Sequence, residues 1–69
     1  MNTRSSLPFT ERLLLYRRRA GLTQAQLASS IGCALGTLIA WERGDRSPRV
    51  DQLEALARAL EVATQDLLA

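Results

Sequence analysis

The chain has 69 residues, 46% of them hydrophobic, but its only aromatics are Phe9, Tyr16 and Trp41, which suits small helices packed on one another rather than a sheet. With no histidine and a single cysteine, Cys33, it excludes a zinc finger, a histidine-based catalytic arrangement and an internal disulfide, so no cofactor and no enzymatic chemistry are expected. The net charge of +2 hides an asymmetry: residues 1–49 carry eight arginines against Glu11, Glu42 and Asp45, whereas residues 50–69 set Arg58 against Asp51, Glu54, Glu61 and Asp66.

Residues 1–7 are polar and aperiodic and read as a flexible N-terminal arm carrying Arg4, with the folded domain over residues 8–69. The apolar run Leu13-Leu14-Leu15 is far short of the ~20 residues that span a bilayer, and no apolar stretch follows Met1–Ser6 as in a signal peptide. A cytoplasmic protein with no membrane partner is the expectation. From Thr10 to Ala20 the residues Phe9, Leu13, Tyr16 and Ala20 share one helical stripe, and Gly21 follows where a left-handed C-terminal residue is wanted. Leu14 and Leu15 fall off that stripe and should be partly exposed.

A second helix opens at Thr23, because Gln26 stands at the capping-box spacing, and it ends at Gly32 after the stripe Leu27, Ala28 and Ile31. Helical spacing resumes over Ala34 to Arg43 with Leu38 and Trp41 inward, and Cys33 in the short connection reads as a small buried thiol. Two short helices joined by so short a turn are a helix-turn-helix. Gly44 closes the third helix. Ser47 then offers a cap with Pro48 as first helical residue of a fourth helix, striped by Val50, Leu53, Leu56, Ala57 and Leu60. A fifth turn runs from Thr64 through Leu67 and Leu68. Since one short helix can turn only one of two adjoining leucines fully inward, Leu67 is expected in the core and Leu68 outside. Leu67, Leu68 and Arg49 mark the region of a two-fold interface. The fold class is all-α, a five-helix bundle.

The stretch Gly21-Leu22-Thr23-Gln24-x-x-Leu27-Ala28-x-x-Ile31-Gly32, then Thr37-Leu38-x-x-Trp41-Glu42-x-Gly44-x-x-x-Pro48, Leu53-x-x-Leu56-Ala57-x-x-Leu60-x-Val62 and Asp66-Leu67-Leu68, resembles the Cro/C1 (XRE-type, lambda-repressor-like) helix-turn-helix family over about residues 9–69. The resemblance implies a lambda-repressor-like bundle and a regulator that occupies operator DNA as a homodimer. It implies a buried ion pair between Arg17 and Glu42. It places Ala34, Leu35, Gly36, Thr37, Ile39 and Ala40 at base edges in the major groove. Phosphate contacts would fall to Gln24, at a helix N-terminus, and to Arg43, Arg46 and Arg49.

The base-facing set departs from the family's habit. Bidentate side chains distinguish bases, whereas aliphatic ones sense little beyond the thymine methyl, and Thr37 is the one polar residue of the six. Ala34 stands where a serine cap is usual and Gly36 lies inside the helix, each worth on the order of 1 kcal/mol against helicity. Three readings stay open: modest specificity through backbone contacts, thymine methyls and DNA shape; readout through water or backbone groups; or a protein-interaction module, an anti-activator or adaptor, whose apolar third helix docks on a protein.

Overall fold

Five helices form in the computed structural model, which describes residues 7–68: α1 (Phe9–Arg19), α2 (Gln24–Ile31), α3 (Leu35–Arg43), α4 (Val50–Leu60) and α5 (Thr64–Leu68). The proposed arm, Arg4 included, falls almost wholly outside the described residues. Helix α2 packs on α3 and α4, while α1 packs on α3 and α5, so α3 is held from behind by the first two helices. The core is built from Leu13 of α1, Leu27 and Ala28 of α2, Leu38 and Trp41 of α3, Leu53, Leu56, Ala57 and Leu60 of α4, and Leu67 of α5. Phe9, Tyr16, Leu22, Ile31, Cys33, Ala59 and Val62 close its edges. In so small a domain each fully buried leucine, contributing roughly 1.5–3 kcal/mol, is a large share of the net stability.

The chain's punctuation follows local chemistry. Thr23 and Gln26 cap α2 reciprocally: Thr23 Oγ1 accepts from the Gln26 N–H at 3.0 Å, and Gln26 Oε1 accepts from the Thr23 N–H at 2.8 Å. At the other end Gly32 takes φ +74°, a left-handed conformation that glycine adopts without Cβ strain, and the Cys33 N–H returns to the Ala28 carbonyl at 3.0 Å. The same closure ends α4, but there the left-handed residue is Glu61, at φ +59°.

Four sequence expectations need correction. The fourth helix starts at Val50 with Arg49 as its N-cap, not at Pro48 after a Ser47 cap. The reason is Gln52, whose Oε1 accepts from the Arg49 N–H at 2.8 Å. With Ser47 as cap, the matching third position would be Val50, which has no acceptor. Val50, placed on the inward stripe, is 72% exposed: it is the first residue of α4, and burial begins one turn further on at Leu53. Ala20 is exposed as well: it is the C-cap of α1, and Leu22, beyond the Gly21 reversal, supplies the apolar contact instead. Cys33 is partly rather than fully buried, and that burial pushes its thiol above the usual range.

Candidate nucleic-acid interface

Helix α3 is apolar on both of its sides, and only one of them is covered. Leu38 and Trp41 are buried, while Leu35 is 44% exposed, Ala34 and Gly36 are exposed, and Thr37, Ile39 and Ala40 are half-buried. Residues three and four apart lie on one helical face, so Leu35, Gly36, Ile39 and Ala40 make one continuous aliphatic surface. Gly36 has nothing within 4 Å of where a Cβ would stand. Ala34 caps the helix without a side-chain bond, leaving the first N–H groups of α3 without a side-chain acceptor.

An ionic network fixes α3 against the rest of the domain. Arg17 Nε donates to Glu42 Oε2 at 2.6 Å and Nη2 donates to Oε1 at 3.3 Å, with the two side chains only 11% and 7% exposed. Arg17 Nη1 also donates to the Leu22 carbonyl at 2.9 Å. Gln24 Nε2 completes the arrangement by donating to Glu42 Oε1 at 2.9 Å, so α1, α2 and α3 meet on one carboxylate. Charge-assisted bonds of this kind are both short and directional. Sequence reasoning missed this role for Gln24, which it assigned to a phosphate alone. One amide N–H is committed to Glu42, and the other remains for a second acceptor.

The arginines sort into structural and exposed groups. Besides Arg17, Arg12 is a strut: its Nε donates to the Leu7 carbonyl at 2.9 Å and its Nη1 to the Asp66 carbonyl at 3.1 Å, tying α1 to α5. Arg19 lies over the Tyr16 ring at 5.8 Å. Arg43, Arg46 and Arg49 are exposed at and after the C-terminal end of α3. Arg43 faces Asp45 at 3.6 Å and Arg49 faces Asp51 at 3.3 Å, and all four side chains are open to solvent. The Arg49 guanidinium, hydrogen-bonded to Asp51, holds that carboxyl below its usual range. Such solvated pairs are weak and exchange readily for a phosphate. Between Arg46 and Arg49 a cavity of about 270 Å³ opens, lined also by Thr37, Trp41, Ser47 and Gln52, so the polar member of the base-facing set adjoins the basic loop.

Leu67 has no exposed surface, and so cannot contribute its side chain to a contact between copies. Leu68 is 62% exposed beside an apolar groove of about 180 Å³ that it shares with Phe9, Ser47, Pro48 and Leu53. Leu14 is half-buried and Leu15 is 37% exposed. Among the described residues no helix is long and apolar enough to cross a membrane, and no group of three or more His, Cys, Asp or Glu side chains could hold a metal ion.

Comparison with known proteins places this geometry. The helix-turn-helix family profile matches residues 13–67. The chain is 37% identical over 57 residues to the cryptic phage CTXphi transcriptional repressor RstR of Vibrio cholerae, a match covering 83% of this chain and 51% of that protein. It is 42% identical over 45 residues to an HTH-type transcriptional regulator of Methanothermobacter thermautotrophicus, covering 65% of each. The chain thus spans about half to two thirds of the length of these relatives. Among solved structures, the restriction-modification controller protein C.AhdI of Aeromonas hydrophila superposes with a TM-score of 0.83 at 32% identity, over 87% of this chain and 91% of that one. The DNA-binding domain of the P22 C2 repressor gives 0.85 at 30% identity, over 97% and 84%. With the family pattern running from α1 to α5 and the turn between α2 and α3 built as described, the chain belongs to the Cro/C1-type helix-turn-helix family, a family of DNA-binding transcription regulators.

Proposed function

We propose that this chain occupies operator DNA as a homodimer, each copy laying α3 in a major groove while α2 crosses the backbone. One observation carries the reading: α3 is anchored from behind by Leu38, Trp41 and the Arg17–Glu42–Gln24 network, while Ala34, Leu35 and Gly36 stay open at its start, Thr37 shares a cavity with Arg46 and Arg49, and Arg43 is exposed at its end. A rigid helix offered to solvent next to a cluster of guanidinium groups suits a polyanionic groove. Gln24 takes the backbone at the start of α2 with its remaining N–H. The two-fold contact forms around Leu68, Val50 and Arg49, the apolar side chains that α4 and α5 leave uncovered meeting their counterparts.

Changing Arg43 and Arg46 together to Ala tests the phosphate assignment. Binding should weaken on every duplex alike, and the slope of log affinity against log salt should flatten by about two. An unchanged slope would remove both arginines from the interface. A second reading is favoured by the 44% exposure of Leu35 on an otherwise aliphatic face: α3 seats on a protein partner, with Leu35 and Ile39 as anchors.

A further inference from the structure

We propose that the open face of α3 reads the C5-methyl groups of pyrimidines, so that this domain distinguishes thymine from uracil and 5-methylcytosine from cytosine. The inference rests on the reading of α3 as the groove-facing helix and names what that helix recognises. Ala34, Leu35, Gly36, Ile39 and Ala40 carry no side-chain donor or acceptor. Thr37 is half-buried and shares the cavity of Arg46 and Arg49, at the edge nearer the backbone-binding loop.

In the major groove a T·A pair shows the thymine O4 acceptor and a methyl; a C·G pair shows the N4 donor and a bare C5–H. Aliphatic side chains can answer neither O4 nor N4, which leaves the methyl as the feature they tell apart. Leu35 and Ile39 are one helical turn apart, a spacing that sets two contacts along the groove. Gly36 beside them offers no Cβ, and the place a Cβ would take is open space, so the helix backbone can come close to the base edges and bring both side chains into van der Waals contact. Burying one methyl against such a surface corresponds to about a fourfold change in affinity.

The test uses the full 69-residue chain and a random duplex library enriched for binding. In the selected duplex each thymine is replaced in turn by deoxyuridine. At one or two positions per bound copy affinity should fall about fourfold, and Leu35→Ala should abolish the loss at one of them and Ile39→Ala at the other. Replacing such a T·A pair by C·G should weaken binding similarly, and 5-methylcytosine in that pair should restore it to within about twofold of thymine. If deoxyuridine is tolerated at every position while Leu35→Gln still alters the selected sequence, α3 lies in the groove but does not read methyls, and the proposal falls alone. If no sequence is enriched, or the enriched one is indifferent to changes in α3, the groove-facing reading falls and takes the proposal with it.

Discussion

At the residue scale, Glu42 is the point on which the interface is built. Its carboxylate receives Arg17 from α1 and Gln24 from α2 while belonging to α3, so three hydrogen bonds hold the orientation of the exposed face. Removing one partner leaves a nearly buried charge unanswered: Arg17→Met alone or Glu42→Leu alone should each destabilise by about 3–5 kcal/mol, enough to unfold much of a domain this small. The double change to Met and Leu should recover most of that loss, because an apolar pair of similar volume carries no desolvated charge. Denaturant midpoints of the three variants check this; a double variant as unstable as the singles would mean that the bonds to Leu22 and Gln24, not the ion pair, hold the helices. The Arg17–Glu42 partnership was legible in the sequence through the family pattern. Gln24 was not, since its position next to the Thr23 cap gives the same signal whether its amide faces a phosphate or a neighbouring carboxylate.

At the scale of the element, α3 is a helix with weak local reasons to be one. It lacks a side-chain cap at Ala34 and carries Gly36 in its second turn-forming position, so its helicity depends on Leu38 and Trp41 being buried behind it. Ala34→Ser should stabilise the domain by about 1 kcal/mol by accepting from a free N–H of the first turn. Gly36→Ala should add roughly 0.5–1 kcal/mol, since its φ is ordinary and a methyl there meets nothing within 4 Å. Thermal unfolding should rise by several degrees for each, and a fall for either would mean that the exposed face is packed in a way the open surroundings of Gly36 do not suggest. The first three helices were legible because each has both an apolar stripe and a stop, in Gly21, Gly32 and Gly44. The start of α4 was less so. Pro48 is a strong local signal, but a glutamine oxygen four residues on decides which N–H is capped. The exposure of Val50 could not be read from periodicity, which gives the direction of a side chain around the helix but not whether the neighbouring layer reaches that far along it.

At the scale of the molecule, the charge asymmetry of the sequence is only partly a surface property. Two of the arginines counted in its basic portion, Arg12 and Arg17, are internal struts; of the exposed ones, Arg18 and Arg19 lie on α1, while Arg43, Arg46 and Arg49 follow one another at and after the end of α3. On the side where α4 begins and α5 ends, Val50 and Leu68 present apolar surface next to the groove lined by Phe9, Pro48 and Leu53. If two copies meet there, Leu68→Arg should shift sedimentation toward the monomer and weaken binding to a two-half-site duplex while leaving the fold intact, since Leu67 alone carries the core contact of α5. A dimer that survives Leu68→Arg, or a wild-type chain that stays monomeric at high concentration with and without DNA, would put the interface elsewhere or remove it. Whether α3 is the reader is decided by replacing Leu35 and Ile39 together with Gln and measuring binding to the duplex selected by the unmodified chain, alongside a random duplex of the same length. Preference for the selected duplex should be lost while the salt-dependent binding to random DNA, supplied by Arg43 and Arg46, remains. Undiminished preference for the selected duplex would mean that α3 does not read the sequence.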